Sequence, residues 1–285
     1  MTLQALAGVN GLRLGPDGIW YGSGTSELSY PAEGNDACFP IEDDSFWFKH
    51  RNDCIVSVVR RFPPADGECI FDVGGGNGFV AKGMADAGFD VAVLEPGAQG
   101  AANARRRGLE NVACATLHSA GFEPRSLAAV GLFDVVEHID DDLMFLRSVA
   151  DLMKDGGRLY LSVPAHAWLW SAEDVSAGHH RRYNRATIGA VLAAAGFDVK
   201  FSSYFFRFLP LPIYLFRALP HRWGWRSDAD TPRDTAADHQ LGPGLLRRLI
   251  EPMLKAECKR MARGQLIGFG ASCLVVATPS RQPQM

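Results

Sequence analysis

Short apolar runs alternate with helical segments between residues 69 and 206, and this alternation constrains the fold more than any other feature. Each apolar run is too short for a buried helix and is bounded by polar or glycine-rich turns, so the pattern predicts strands. Strands that alternate with helices predict a mostly parallel sheet covered on both faces. The predicted strands are Cys69–Val73, Val91–Leu94, Val112–Ala115, Leu127–Phe133, Arg158–Val163 and Val199–Tyr204.

Helical periodicity and its stop signals place the helices between these strands. Glycine commonly follows the last residue of a helix, and it does so after most of these segments. Farther along, the sequence predicts an amphipathic helix near Leu245–Met261 and a last strand at Ser272–Ala277. The earlier predicted helices are His50–Phe62, Phe79–Ala87, Ala98–Arg107, Asp141–Met153 and Arg185–Ala195.

Composition divides the chain into four parts. Residues 1–48 are rich in glycine, serine, proline and aromatic residues, and they predict an irregular leader that acts as a cap. Residues 49–206 form the core, in which 164–184 is a loop dense in Trp, His, Arg and Tyr. Because the last strand lies far downstream of the sixth, we expect residues 207–270 to form a lid or subdomain before 271–279 complete the sheet.

Charge and cysteine usage narrow the class of protein. The chain has 29 basic and 32 acidic residues and a net charge of -3, which argues against a nucleic-acid partner. The six cysteines form no C-x-x-C pair, so we expect free thiols in a reducing compartment. No set of histidine, cysteine and carboxylate residues has a metal-ligand spacing, and we expect no metal.

The N-terminus lacks the charged and apolar regions of a secretory signal, which indicates a cytoplasmic protein. The most apolar stretch, Tyr204–Leu219, is interrupted by arginine and proline and is too broken to span a membrane. A peripheral membrane contact by residues 204–220 stays open, since amphipathic segments with arginine lie at interfaces. Monomer and homodimer also both stay open.

The sharpest motif follows the first predicted strand and reads D-x-G-x-G-x-G from Asp72 to Gly78. Its three glycines permit positive φ angles and let a ligand contact the backbone. The dinucleotide fingerprint G-x-G-x-x-G would need a third glycine where Phe79 stands. Glu95, at the tip of the second strand, can accept both hydroxyls of a ribose, which does not separate one nucleotide cofactor from another.

A third segment, Val136-Glu137-His138-Ile139, follows the fourth strand. Together these motifs resemble the class I S-adenosylmethionine (SAM)-dependent methyltransferases, in particular the ubiquinone-biosynthesis O-methyltransferase type within the type 11/12 group. The resemblance implies a Rossmann-like α/β fold with a seven-stranded, mostly parallel sheet, its last strand antiparallel. It also implies SAM as cofactor and S-adenosylhomocysteine as product.

The resemblance also implies which residues hold the cofactor. After the third strand the family usually has an aspartate for the adenine amine, but this sequence reads Ala115-Thr116-Leu117-His118, so Thr116 takes that place as our candidate. The implied cofactor-binding residues are Asp72, Gly74, Gly76, Gly78, Glu95, Thr116 and Asp134.

Residues 164–184 resemble a run, LWS..D...GH.RRY, of a bacterial subgroup of these methyltransferases. Transfer to a hydroxyl needs a base, and we predict His179 or His138 in that role. The competing interpretations are that Asp174 pairs with Arg181 or Arg182 to lock the loop, and that His138 orders it through the backbone. The predicted substrate-binding residues are Trp47, His166, Trp170, Asp174, Arg181, Arg182 and Tyr183.

The acceptor is expected to be a small molecule, and aromatic residues flank one edge of the predicted sheet. A hydroxyl on a hydrophobic, aromatic or lipid-like metabolite is favoured over a small polar acceptor. Three alternatives stay open: an N- or C-methyltransferase, an NAD-dependent oxidoreductase, and a SAM-binding protein without turnover.

Overall fold

A computed structural model describes residues 11–23, 34–225 and 245–280 of the chain. A single sheet in these residues has the strand order β1-β2-β5-β4-β3-β6-β7-β9-β8. The strands from β5 to β7 in this order are parallel, whereas β9 is antiparallel to both β7 and β8. The strands are β1 (Arg13–Leu14), β2 (Trp20–Tyr21), β3 (Ile70–Val73), β4 (Val91–Leu94), β5 (Val112–Cys114), β6 (Leu127–Phe133), β7 (Met153–Pro164), β8 (Phe197–Phe205) and β9 (Ser272–Pro279).

Helices connect the strands and cover the sheet. A short helix, Ala172–Ser176 (α6), lies within the loop after β7. A π-helical turn, Tyr214–Ala218, separates the short helices Pro210–Ile213 (α8) and Leu219–Arg222 (α9). The helices are α1 (Gly34–Glu42), α2 (Phe46–Arg61), α3 (Phe79–Asp86), α4 (Ala98–Arg106), α5 (Asp142–Leu152), α6 (Ala172–Ser176), α7 (Arg185–Ala194), α8 (Pro210–Ile213), α9 (Leu219–Arg222) and α10 (Leu245–Ala262). None of the helices in the described ranges is long and apolar enough to cross a membrane.

The α/β class and the antiparallel last strand are confirmed, and the predicted count of seven strands is too low by two. The additional strands, β1 and β2, are two residues each and form a hairpin that extends the sheet beyond β5. Two-residue strands carry too little alternation to be read from sequence. Residues 15–18 form the turn between them, in which the Gly18 amide donates to the Gly15 carbonyl at 3.1 Å.

Two predicted helix boundaries are wrong for identifiable reasons. Helix α2 begins at Phe46 and not at His50, because the Ser45 hydroxyl caps it by accepting from the amides of Trp47 and Phe48. Met153 was predicted to end α5, but it belongs to β7 and pairs with Leu127 across an irregularity in the ladder. The predicted division into leader, core and lid stays a prediction.

The sheet separates two buried clusters, one on each face. One contains Leu132, Leu161 and Val275 with residues of α5 and α7, and the other contains Ile55, Met84 and Phe205 with residues of α2, α3 and α10. Strands buried on both faces read as continuous apolar runs, which is why β4 and β6 match their predicted bounds. The carboxyl ends of β3, β4, β6 and β7 meet at one edge, where ligands bind in such sheets.

Candidate active site

The glycine turn follows β3 and leads into α3. Gly74, Gly76 and Gly78 have positive φ angles of 70°, 53° and 75°. A Cβ atom on Gly78 would lie 2.6 Å from Cδ1 of Leu109, and one on Gly74 would lie 2.9 Å from Cγ2 of Val135. Both the backbone conformation and the lack of space therefore require glycine here.

Glu95, directly after β4, faces this turn. It is 7% exposed, and its carboxylate accepts hydrogen bonds from the amides of Gly76 at 2.8 Å and Gly97 at 2.7 Å. Burial raises the pKa of Glu95, while the bonds from the two amides act in the opposite direction. The carboxylate thus joins the end of β4 to the turn after β3.

Asp72, within β3, is buried next to the glycine turn. It is 1% exposed, and among the described residues Oδ2 receives no hydrogen bond. Burial raises the pKa of Asp72 to about 7, because the carboxylate loses its hydration. A buried polar atom without a protein partner is uncommon, so the position suits a donor from a bound molecule or water.

Asn77 fixes α1 onto the glycine turn, a role that the sequence pattern does not reveal. Its Nδ2 donates to the carbonyl oxygen of Asn35 at 2.8 Å and to Glu42 at 3.1 Å. Its Oδ1 accepts from Nδ2 of Asn103, on α4, at 2.9 Å. In the motif this residue is only a spacer between two glycines, yet it connects the turn to helices on both sides.

Thr116 lies just beyond β5 in a turn that it closes with Ser119. The Thr116 amide donates to Oγ of Ser119 at 2.9 Å, and the Ser119 amide donates to Oγ1 of Thr116 at 3.0 Å. The hydroxyl of Thr116 is therefore already engaged with the protein. Its role in binding adenine stays a prediction.

Asp134 follows β6 and is held in place by two side chains. Its backbone has a positive φ of 57°, unusual for a residue with a side chain. Oδ1 accepts from the hydroxyl of Ser162 at 3.0 Å, and Oδ2 accepts from Nε of Arg51 at 2.5 Å. Arg51 also donates to the carbonyl of Phe133 at 2.9 Å, so α2 is tied to the end of β6.

Asp174 organises the loop after β7. It is 1% exposed, and Oδ1 accepts from Nδ1 of His179 at 2.8 Å and from Nε of Arg182 at 2.7 Å. Oδ2 accepts from the amide of Ser171 at 2.9 Å. Although burial opposes it, the bonds from His179 and Arg182 hold the pKa of Asp174 below its ordinary value. The carboxylate is therefore ionised beside the imidazole.

His138 and Glu137 lie against this pair. The rings of His138 and His179 meet edge to face with centroids 4.8 Å apart. Burial lowers the pKa of His138 to about 4, and the neighbouring His179 lowers it further. Glu137 is 1% exposed, and its pKa is raised well above the ordinary value by burial and then by Asp134. Sequence reasoning gave Glu137 no role, although it lies between Asp134 and His138 in the sequence.

The two arginines of the RRY run have different partners. Arg182 pairs with Asp174 and donates to the carbonyl of Ala165 at 3.2 Å. Arg181 instead pairs with Asp142 at 3.0 Å. The hydroxyl of Tyr183, a residue 3% exposed, donates to that same Asp142 at 2.7 Å. These contacts fit the loop-locking interpretation, and substrate binding by Arg181, Arg182 and Tyr183 stays a prediction.

The remaining predicted substrate-binding residues lie in separate places. Trp47 stacks on Phe206, with ring centroids 5.7 Å apart, and contacts Arg51. His166 stacks on Tyr204 at 4.9 Å, and its backbone φ is 63°. Trp170 is half-buried in the turn before α6. The structure therefore brings Asp174, His179 and Arg182 into direct contact, whereas Trp47 and His166 pack against other aromatic side chains.

Comparison with known proteins decides the family. A family model described as a methyltransferase domain matches residues 47–200, which is more than half of the chain. The chain belongs to this methyltransferase family. The resemblance to class I SAM-dependent methyltransferases is thereby confirmed, with SAM as the cofactor.

Curated relatives of the methyltransferase include two ubiquinone biosynthesis O-methyltransferases. The protein of Sodalis glossinidius is 35% identical over 121 residues, which cover 39% of this chain and 49% of that relative. The protein of Pectobacterium carotovorum is 34% identical over 121 residues, covering 39% of this chain and 51% of the relative. The chain therefore spans about half the length of these relatives.

Solved structures support the fold of the methyltransferase. A SAM-dependent methyltransferase from Thermotoga maritima has a TM-score of 0.53 at 15% identity, covering 87% of this chain and 99% of that one. Phosphoethanolamine N-methyltransferase 2 of Haemonchus contortus, bound to SAM, also gives 0.53 at 18% identity, covering 89% of this chain and 58% of that one. Likeness at such identity shows the fold alone.

The residues at the edge of the sheet fit SAM. The positive φ angles at Gly74, Gly76 and Gly78 expose backbone that a side chain would screen. Each Glu95 oxygen accepts one backbone amide and keeps a second lone pair, and the Oδ2 atom of Asp72 has no hydrogen-bond partner among the described residues. The site therefore offers both an exposed main chain and acceptor oxygens.

Proposed function

We propose that this methyltransferase transfers the methyl group of SAM to a hydroxyl on a hydrophobic, aromatic or lipid-like small molecule. His179 acts as the base, and Asp174 positions it. The observation that carries this assignment is the 2.8 Å bond between Nδ1 of His179 and the wholly buried carboxylate of Asp174.

The glycine turn and Glu95 serve the cofactor half of the site. Bound SAM supplies a sulfonium-activated methyl group, which an acceptor lone pair must approach in line. Backbone groups of Gly74, Gly76 and Gly78 line the methionine side, and Glu95 accepts from the ribose hydroxyls.

The pair of His179 and Asp174 has the geometry of a base and its orienting acid. Because Asp174 accepts from Nδ1, the proton stays on that nitrogen and Nε2 keeps its lone pair. Nε2 would take the proton of the acceptor hydroxyl while the hydroxyl oxygen displaces the methyl group from the sulfur of SAM, with S-adenosylhomocysteine as the leaving group. Asp174 stabilises the imidazolium, which later releases the proton to water.

His138 acts as a positioning residue beside this base. Its lowered pKa, about 4, keeps the ring neutral at physiological pH, so it adds no positive charge next to His179. It contacts the backbone of Gly178, the residue before His179, and the edge of the His179 ring. Both contacts restrict the orientation of the base.

Exposed apolar side chains near the site support a hydrophobic acceptor. The segment from α8 to residue 225 presents Leu211, Phe216 and Trp225, which are 65%, 71% and 71% exposed. Arg217 in the same segment pairs with Glu173 at 3.6 Å, which attaches the segment to the acceptor loop. Such a surface suits a peripheral contact with a lipid layer that holds the acceptor.

The curated relatives support transfer to oxygen. Their names describe O-methylation in ubiquinone biosynthesis, and the methyltransferase family model matches residues 47–200, which include the glycine turn and Glu95. Transfer to nitrogen stays an alternative without an observation of its own here, because the N-methyltransferase similarity rests on the fold alone. Methyl transfer to a hydroxyl needs a base, and the bond to Asp174 orients His179 for that role.

The proposal is tested with methyl-labelled SAM and an extract of the source organism. After incubation with the purified protein, products are partitioned between organic solvent and water. We expect label in the organic phase with the wild-type protein and none with His179→Gln. Label only in water would overturn the hydrophobic acceptor, and undiminished transfer by His179→Gln would overturn the assignment of the base.

A further inference from the structure

A second cluster of chemically active side chains lies away from the acceptor loop, where α2 packs against α10. His50 and Cys54 stand one helical turn apart on α2, and Cys258 lies opposite them on α10. His50 is 3% exposed, Cys54 is fully buried and Cys258 is partly buried. The two Sγ atoms lie 3.5 Å apart.

Glu257 fixes the orientation of the His50 ring. Its carboxylate accepts from the amides of Phe206 at 2.9 Å and Arg207 at 2.8 Å, and it lies 2.9 Å from Nε2 of His50. The carboxylate oxygen accepts in this bond, so Nε2 of His50 is the donor. The lone pair of His50 is then on Nδ1.

Two of the three donor-atom distances fall in the range of a tetrahedral metal site, and the third, from Nδ1 to Sγ of Cys54, is slightly longer. Nδ1 lies 3.6 Å from Sγ of Cys258 and 4.0 Å from Sγ of Cys54, whose sulfur is also 3.4 Å from Nε2. A tetrahedral ion with Zn–S bonds of about 2.3 Å and Zn–N bonds of about 2.0 Å separates its ligand atoms by roughly 3.5–3.8 Å. All three donor atoms lie within 4.8 Å of one another.

We propose that His50, Cys54 and Cys258 bind one Zn²⁺ ion through Nδ1 and two thiolates. A water molecule completes the tetrahedron at the fourth position. Two sulfurs and an imidazole are donors that select zinc over hard cations such as Mg²⁺. Glu257 accepts the hydrogen bond from Nε2, the ring nitrogen of His50 that does not bind zinc, as carboxylates commonly do for zinc-bound histidines.

Zinc bound between α2 and α10 would hold together two helices that lie next to residues of the candidate active site. It clamps α10 to α2, and Arg51, which binds Asp134, follows His50 directly. Glu257 also secures the backbone of Phe206, which has a positive φ of 58° and stacks on Trp47. Zinc binding and the packing of α10 do not depend on the proposed methyl-transfer reaction.

The test measures zinc per chain in the full-length protein, purified without a metal-affinity step, by elemental analysis. We expect about one zinc per chain in the wild type and in Cys38→Ser, a control that removes a thiol outside the cluster. Cys54→Ser and Cys258→Ser should each lose it. Replacement with Co²⁺ should give the intense visible absorption of a tetrahedral site and a thiolate-to-metal band in the near ultraviolet.

Two further measurements keep the test decisive if a cysteine variant misfolds. Glu257→Gln, which keeps all three ligands, should weaken Zn²⁺ affinity by about 10–100-fold. Removal of metal from the wild type with a chelator should lower its thermal midpoint, and added Zn²⁺ should restore it. Absence of metal after growth with zinc, together with no cobalt spectrum, overturns the proposal. So does equal zinc in all variants.

Discussion

The two halves of the candidate active site are built differently. The cofactor half uses main-chain conformation: three glycines with positive φ, and a carboxylate that binds two backbone amides. The acceptor half uses side chains in a charged network centred on the buried Asp174. Backbone conformations of this kind require glycine, so they produce a motif that can be recognised in the sequence. A side-chain network appears in the sequence only as residue types, because the fold determines which side chains become partners.

The largest effect is expected from closing the glycine turn. Gly76→Val should weaken SAM binding by about 100-fold or more, because a Cβ is strained at a φ of 53° and screens the backbone. Binding is measured by isothermal titration calorimetry. Gly88→Val is the matched control, since Gly88 also has a positive φ, of 91°, but a Cβ there meets nothing within 4 Å. Equal loss of affinity in both variants would show that the cofactor site is misplaced.

The next effect concerns the acid of the acceptor half. Asp174→Asn should lower kcat roughly 10²–10⁴-fold while SAM affinity changes little, since the amide no longer fixes the imidazole proton on Nδ1. The measurement is a methyl-transfer assay beside a SAM titration. Asp140→Asn, an exposed acid that contacts Arg181, should keep nearly full activity. A parallel fall in SAM affinity would mean that the two halves are not separate.

The cofactor half was predictable because its requirements are local. The strands Val91–Leu94 and Leu127–Phe133 match their predicted bounds, since both are buried on both faces. Glycine at 74, 76 and 78 is dictated by backbone angles that other residues rarely adopt. Asn77 escaped prediction because its partners, on α1 and α4, are set by packing.

For the acceptor half, the sequence predicts which residues belong to the site but not which of them contact each other. Sequence predicted that His179 and Asp174 belong to the site, but not that they bond to each other or that Arg181 binds Asp142 instead. The cluster of His50, Cys54 and Cys258 was missed altogether. Cys258 lies 204 residues beyond Cys54 in the chain, so the local spacing of His50 and Cys54 does not reveal the third member.

A smaller effect is expected from Glu95. Glu95→Gln should weaken SAM binding by about 10–30-fold, since the amide keeps one acceptor oxygen and loses the charge that strengthens bonds from the ribose hydroxyls. The KM for SAM should rise by the same factor while kcat stays close to the wild-type value. A fall in kcat without a change in KM would place Glu95 on the acceptor side.

The smallest effect is a change in stability with pH. Because the pKa of His138 is about 4 when folded and near 6.5 when unfolded, its contribution is present above pH 6.5 and is lost as pH falls toward 4. Between pH 7 and pH 5, His138→Asn should lose less unfolding free energy than the wild type, by up to about 2 kcal/mol. Glu137, whose pKa is raised, acts in the opposite direction in both proteins. Denaturant titrations at the two pH values check this, and equal losses would contradict a buried neutral His138.

The most direct test measures SAM affinity and the rate of methyl transfer on the same preparation of His179→Gln. His180→Gln serves as the neighbouring control, because His180 is more exposed and lies 3.7 Å from an exposed aspartate. If the two halves act as described, His179→Gln binds SAM within about twofold of the wild type but transfers methyl at least about 100-fold more slowly. A rate close to that of the wild type, or a joint loss of binding and transfer, would contradict the account.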